Sequence, residues 1–177
     1  MAEDKSIELW DVLDDRRQKT GRLHRRGDRL GIGEYHLTVH ACIFNEKGEM
    51  LIQKRQPFKA GWSGMWDITV GGSALAGEDS RTAVMRELKE ELGLSLDLTA
   101  TRPHLSVQFP EGFDDVYLIN LDVDPAALSL QYEEVEAVRY ASEDEIFAMM
   151  DAGTFIPYQR HLISLYFDMR HRYGALL

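Results

Sequence analysis

Cysteine occurs once in these 177 residues, at Cys42, so no internal disulfide can form and the fold must be held by packing alone. That usage is compatible with a reducing cytoplasm, and Cys42 itself reads as a core residue. Proline is sparse, and no Pro-, Gly- or Ser-rich stretch, low-complexity segment or internal repeat divides the chain. No apolar run is long enough to span a bilayer, and the opening MAEDKSIELW carries acids where a secretory signal needs an apolar stretch. Positive charge is also short. Twenty Lys and Arg face thirty Asp and Glu, for a net charge of −10, which argues against a general nucleic-acid binder or a partner on anionic membranes. The expectation is a soluble, cytoplasmic protein, one domain over 1–177 that buries about 70% of its unfolded surface. Its partner should be small, and a homodimer is left open beside a monomer.

What the chain has in abundance is organised acid. Between Gly72 and Leu94 it reads GSALAGEDSRTAVMRELKEELGL. On a helix, Glu90 and Glu91 fall within about a sixth of a turn on either side of Glu87, so the three carboxylates share a face. Like charges so placed repel, and the arrangement makes sense around a hard cation. With no Cys or His in the cluster, oxygen ligation favours Mg2+, with Mn2+ able to substitute. Val84, Leu88 and Leu92 form an apolar stripe beside the acids, widened by Met85, and its burial would aim the acids along the rim of the core. Glu78 and Asp79 stand where a helix N-terminus favours negative charge, and Gly93 is a natural stop. Arg86, eight residues after Glu78 and four before Glu90, can pin both and fix the loop to the helix.

Around this segment the patterning predicts mixed elements. A strand pair over 6–26 turns at Asp14-Asp15-Arg16-Arg17, and 35–45 and 50–56 form a hairpin through Glu46-Lys47-Gly48-Glu49. Trp66 to Val70 reads as a strand entering the glycines. Strands follow at 103–109, 115–123 and 134–140, then helices at 142–151 and 157–171. Strands on both sides of a long helix imply an α/β layered domain.

The segment 72–94 resembles the Nudix box, G-x5-E-x7-R-E-U-x-E-E-x-G-U, and every fixed position matches, with Leu88 and Leu94 at the two apolar ones. The resemblance implies an α/β/α sandwich around a mixed sheet, with 1–34 as an N-terminal β-hairpin extension. It also implies hydrolysis of a diphosphate linkage in a nucleoside diphosphate derivative or a related small organic pyrophosphate. Outside the box, WDVLDDRRQKTG, GEYHLTVHACIFNEKGEMLIQKR and GMWDITVGGSALAGE resemble a Nudix subgroup that shares its extension with type I isopentenyl-diphosphate isomerases. That makes the isomerase the chief rival, with a non-catalytic nucleotide-binding module as a third reading. The isomerase needs a cysteine in the approach to its altered box. Here Trp66-Asp67-Ile68-Thr69-Val70-Gly71-Gly72 holds none.

Carried over from the family, Glu87, Glu90 and Glu91 are metal ligands, joined by the Gly71 backbone carbonyl. Glu87 is the candidate within the box to deprotonate the attacking water, and among Glu133, Glu134 and Glu136 outside it Glu134 fits the family pattern best. Arg86 and Glu90 complete the catalytic set. Lys54 and Arg55, ending a strand that faces the family's substrate groove, are candidates for binding phosphate. Trp62, Trp66, Phe113 and Tyr117 could stack a base, although aromatics near a sheet more often serve the core. The basic run from Arg16 to Arg29 reads as a solvated hairpin. His36, His40 and His104 read as structural. On the strand from His36 to Phe44, Cys42 shares a face with His40 and Phe44, and neither face of that strand carries an acid to tune a thiol.

Overall fold

The computed structural model describes residues 8–174 and Leu176. Two strands, β1 (Leu9–Leu13) and β2 (Lys19–Arg25), pair antiparallel as a separate hairpin; Ser6 and Ile7 of the expected pair lie outside the described residues. The hairpin turns where Asp14 Oδ1 accepts the backbone N–H groups of Arg16 and Gln18, at 2.9 and 2.8 Å, a side-chain substitute for a backbone turn. Much of its basic run is neutralised: Arg17 meets Asp115, Lys19 meets Asp11, and Arg22 and Arg26 meet Glu34 and Glu8.

A seven-stranded mixed sheet follows, built from β3 (His36–Phe44), β4 (Met50–Arg55), β5 (Trp66–Asp67), β6 (Val70–Ser73), β7 (Leu105–Phe109), β8 (Gly112–Asn120) and β9 (Val135–Ala141). β3 and β8 run parallel from His36↔Gly112 to Phe44↔Asn120, and the other pairings are antiparallel. Strand residues alternate between faces. Val39, Ala41 and Ile43 pack with Val84, Leu88 and Leu92 of α1 (Ser80–Leu92). Cys42, Phe44 and Ile52 pack on the other face with Ile146 of α2 (Glu143–Asp151) and Ile163 and Phe167 of α3 (Arg160–Met169). The result is a helix on one face and two on the other, the α/β/α sandwich the sequence led us to expect.

One expected element divides. The stretch from Trp66 to Val70 is not a single strand, because β3 and β4 meet only at Phe44↔Met50 and then diverge. β5 takes the free edge of β4 and β6 the free edge of β3. Between them buried Thr69 stitches the split: its Oγ1 accepts the Ile43 N–H at 2.9 Å and donates to the Leu51 carbonyl. A threonine hydroxyl can satisfy both strands where no backbone reaches, and the strand breaks there. β8 also begins earlier than expected, at Gly112, since Pro110 and Glu111 form a tight turn out of β7.

Candidate active site

The splayed strands open a cavity of about 930 Å³ between β6, the acidic face of α1, and the loop between β4 and β5. The box helix is firmly ended. Asp79 caps its start by accepting the Thr82 N–H at 2.8 Å, and Gly93, at φ 70°, closes it with bonds from Gly93 N to Lys89 O and Leu94 N to Leu88 O, an αL cap that favours glycine at the left-handed position. Arg86 does more than was expected of it. Its Nε and Nη2 grip Glu78 at 2.8 and 3.0 Å, its Nη1 reaches Glu87 at 2.9 Å and Glu90 at 3.0 Å, and Nη2 also donates to the Ser73 carbonyl. Burial alone would lower its pKa, but the bonds and charges of Glu78 and Glu87 prevail and raise it. Arg86 is a fixed cation that ties loop, β6 and helix together.

The three box glutamates share a face but not an environment. Glu90 is half exposed, whereas Glu91 is only 5% exposed and accepts a bond from Gln53 Nε2 at 3.0 Å. A rim of equally exposed acids is therefore not what forms, because β4 closes over the helix at Glu91. Burial pushes the Glu87 carboxyl up to about 7 against the pull of Arg86. Burial, and then the neighbouring Glu87 charge, push Glu91 to about 8 despite Gln53. Glu87 also lies hard against the backbone: a Cβ on Gly72 would sit 2.1 Å from its Oε1. Only glycine permits that approach.

Among the described residues no three His, Cys, Asp or Glu side chains converge into a ready-made cation cage, because Arg86 draws Glu87 and Glu90 while Gln53 draws Glu91. The residues nevertheless fit a hard divalent ion. Two neighbouring acids, partly buried Glu87 and buried Glu91, carry raised pKa values that a cation would relieve, and the buried Gln53 Oε1 has no partner among the described residues. All the donors, including the carbonyl of Gly71 at the cavity wall, are oxygens, as magnesium or manganese requires.

Lys54 and Arg55 part company, as successive strand residues do. Arg55 lines the cavity, 3.7 Å from Asp67 Oδ2, and its buried Nε has no partner among the described residues. Lys54 does not line the cavity and pairs with Glu136 at 2.9 Å. Glu134 does line it, in an ion pair with Lys59.

The cavity is also lined by Asp67, to which the sequence reading gave no role, and by His40, which it read as structural. Buried Asp67 accepts the Tyr158 hydroxyl at 2.7 Å. His40, opposite Gly71 in the β3–β6 ladder, bonds Asp114 through Nδ1 at 2.7 Å. Burial alone would lower the His40 pKa, but Asp114 outweighs it and raises it. The alternation Thr38, His40 along β3 marked His40 for the side away from α1, but nothing in the sequence said that β3 would lose its neighbour there. Cys42, by contrast, is fully buried, and burial raises its pKa well above the ordinary value. Acids do lie near it, contrary to the reading from its own strand: Asp114 and Asp67, from β8 and β5, raise it further.

Residues 34–164 match the NUDIX domain family model. An uncharacterized Nudix hydrolase of Listeria monocytogenes is 50% identical over 152 residues, covering 86% of this chain and 90% of that one. An isopentenyl-diphosphate Delta-isomerase of Salmonella heidelberg is 29% identical over 132 residues, 73% of each chain. Among solved structures, a crystal structure from Deinococcus radiodurans superposes with a TM-score of 0.72 at 23% identity, covering 90% of this chain and 97% of that one. The chain belongs to the Nudix family, and it is an enzyme of the hydrolase branch of that family. Among the described residues no helix is long and apolar enough to cross a membrane.

Proposed function

We propose that the protein hydrolyses a diphosphate linkage in a nucleoside diphosphate derivative or a related small organic pyrophosphate, with Mg2+ as its metal and Mn2+ as a substitute. The observation that carries this reading is the pair of neighbouring acids on the box helix, partly buried Glu87, which presses against the backbone of Gly72, and buried Glu91. Neutral burial of two carboxyls gains nothing structurally, whereas with Glu90 and the Gly71 carbonyl they form an oxygen set for a divalent ion. When bound, the ion supplies neutralisation of the diphosphate oxyanions.

Other roles fall to the chain itself. Arg86 holds Glu78, Glu87 and Glu90 in register. Arg55, with an unspent Nε in the cavity, takes a phosphate oxygen. Glu87 is the candidate within the box to accept the proton of the attacking water, and Glu134 is the candidate across the cavity once it leaves Lys59. An intracellular, reducing setting suits a lone buried thiol. The isomerase reading needs a cysteine at the reacting centre, but Cys42 is sealed in the core on the α2–α3 side.

The test is a panel of nucleoside diphosphate derivatives and allylic diphosphates incubated with magnesium, with products identified by mass. Monophosphate products that vanish with chelator support the proposal. An allylic isomer formed with its diphosphate intact would replace hydrolase with isomerase.

A further inference from the structure

Four aromatics stood as candidates to stack against a flat ligand, and the structure separates them. Phe113 is buried beneath the Arg17 guanidinium, 5.1 Å from its ring centroid. Tyr117 is buried, with its hydroxyl 2.7 Å from Ser80 Oγ. Trp66 is half buried in β5 with Arg139 over its ring at 5.3 Å. Trp62 alone of the four is exposed, at 52%, and it lines the mouth of the active-site cavity.

Its backbone is as unusual as its exposure. Trp62 has φ 49°, one of two non-glycine residues at positive φ among those described, between Gly61 at 74° and Gly64 at 68°. A bulky side chain in that region costs free energy that a glycine there would not. The loop holding it is tied at its ends by the bond from Arg55 N to Met65 O at 2.9 Å, and Met65 N donates to the Trp62 carbonyl itself. Strain, exposure and a fixed position together are what a recognition surface needs, and they are a poor bargain for packing. Lys59, three residues earlier on the same loop, also lines the cavity, in its ion pair with Glu134.

We propose that Trp62 is the residue by which this enzyme selects substrates bearing a flat aromatic group, which stacks on the indole while the diphosphate lies at the box acids. The inference rests on the diphosphate reading above. It assigns the loop between β4 and β5, rather than the box, the choice among substrates. Stacking of a base on an aromatic side chain corresponds to about tenfold to hundredfold in affinity.

The experiment measures magnesium-dependent binding of adenosine 5′-(α,β-methylene)diphosphate and of base-free methylenediphosphonate by calorimetry, together with melting temperatures. The proteins are the wild type, W62F, W62A and W62G. Expected are a loss of about tenfold to hundredfold for the nucleotide in W62A and W62G, near-retention in W62F, and methylenediphosphonate binding unchanged throughout. W62G should melt no lower than the wild type, since relief of strain offsets the lost ring. Equal weakening of both ligands, no weakening in W62A, or a melting temperature several degrees lower in W62G would each overturn the role of Trp62. Wild type that binds the nucleotide in a Trp62-dependent way but ignores methylenediphosphonate would overturn the diphosphate reading and leave Trp62 standing. Binding of neither would overturn both.

Discussion

Gln53 and Glu91 are joined by a 3.0 Å hydrogen bond from Nε2 to Oε2, and both side chains are buried. An acid is thus enclosed where β4 crosses the box helix, with an amide as its hydrogen-bond partner. Glu91→Gln keeps the shape and the amide contact while deleting the charge. Turnover should fall by at least about a hundredfold. In chelator, however, the melting temperature should rise, by about 2–4 °C if about 1 kcal/mol of buried charge is relieved. Undiminished activity in this variant would remove Glu91 from the metal set.

The same acids set a pH dependence. In the unfolded chain their carboxyls titrate near 4.5, and in the folded protein the pair titrates at about 7 and 8. The unfolded state therefore releases its protons first. The stability contributed by the neutral pair is complete below about 4.5, is lost as pH rises through 7 and 8, and levels above them. Metal-free protein should melt lower at pH 9 than at pH 6, and millimolar magnesium should raise the melting temperature more at pH 9. Calorimetric scans at the two pH values, with and without magnesium, check this; a magnesium shift that shrinks with pH would contradict it.

Arg55 and Lys54 give a paired test on adjacent residues. Arg55→Ala should raise KM for a diphosphate substrate by about tenfold or more, because it removes a charged donor from the cavity. Lys54→Ala should leave KM within about twofold, since Lys54 meets Glu136 outside the cavity. Steady-state kinetics on both variants decide it, and equal effects would refute the division.

Cys42→Ala should cost about 1 kcal/mol, the small cavity of one lost sulfur, and leave catalysis unchanged. Diphosphate cleavage and allylic isomerisation are assayed on the same preparations. Loss of an isomerisation that the parent displayed, in a folded variant, would favour the rival enzyme.

Much of this was legible from spacing. The box fixes its own helix, because Val84, Leu88 and Leu92 bury one stripe, Asp79 caps the start and Gly93 ends it within the local chain. The alternation of Val39, Ala41 and Ile43 against Cys42 and Phe44 likewise foretold which side of the sheet each would take. What the sequence hid depends on distant strands. The rim on which the acids were expected is closed at Glu91 by Gln53, 38 positions away. His40 enters the cavity because β3 and β4 diverge, and that divergence is fixed by Thr69 bonding to both. Lys54 and Arg55 could be separated by strand parity, but which of the two faced the cavity required knowing the sheet order.

The N-terminal hairpin holds on to the box loop at several points: Asp11 Oδ2 accepts the Gly77 N–H at 2.8 Å, the Leu9 carbonyl accepts from Ala76, and Lys19 reaches the Glu78 carbonyl. Its turn is then clasped by Asp115, 98 residues downstream of Arg17. On the ribosome this hairpin is made before its anchor, which is translated only when β8 arrives, at synthesis rates of about 5–20 residues per second. Arg17 must therefore wait several seconds for the acid that clasps it. The loop leading into the box helix is thus braced by a hairpin whose own turn is secured only from β8, on the far side of the box in the chain.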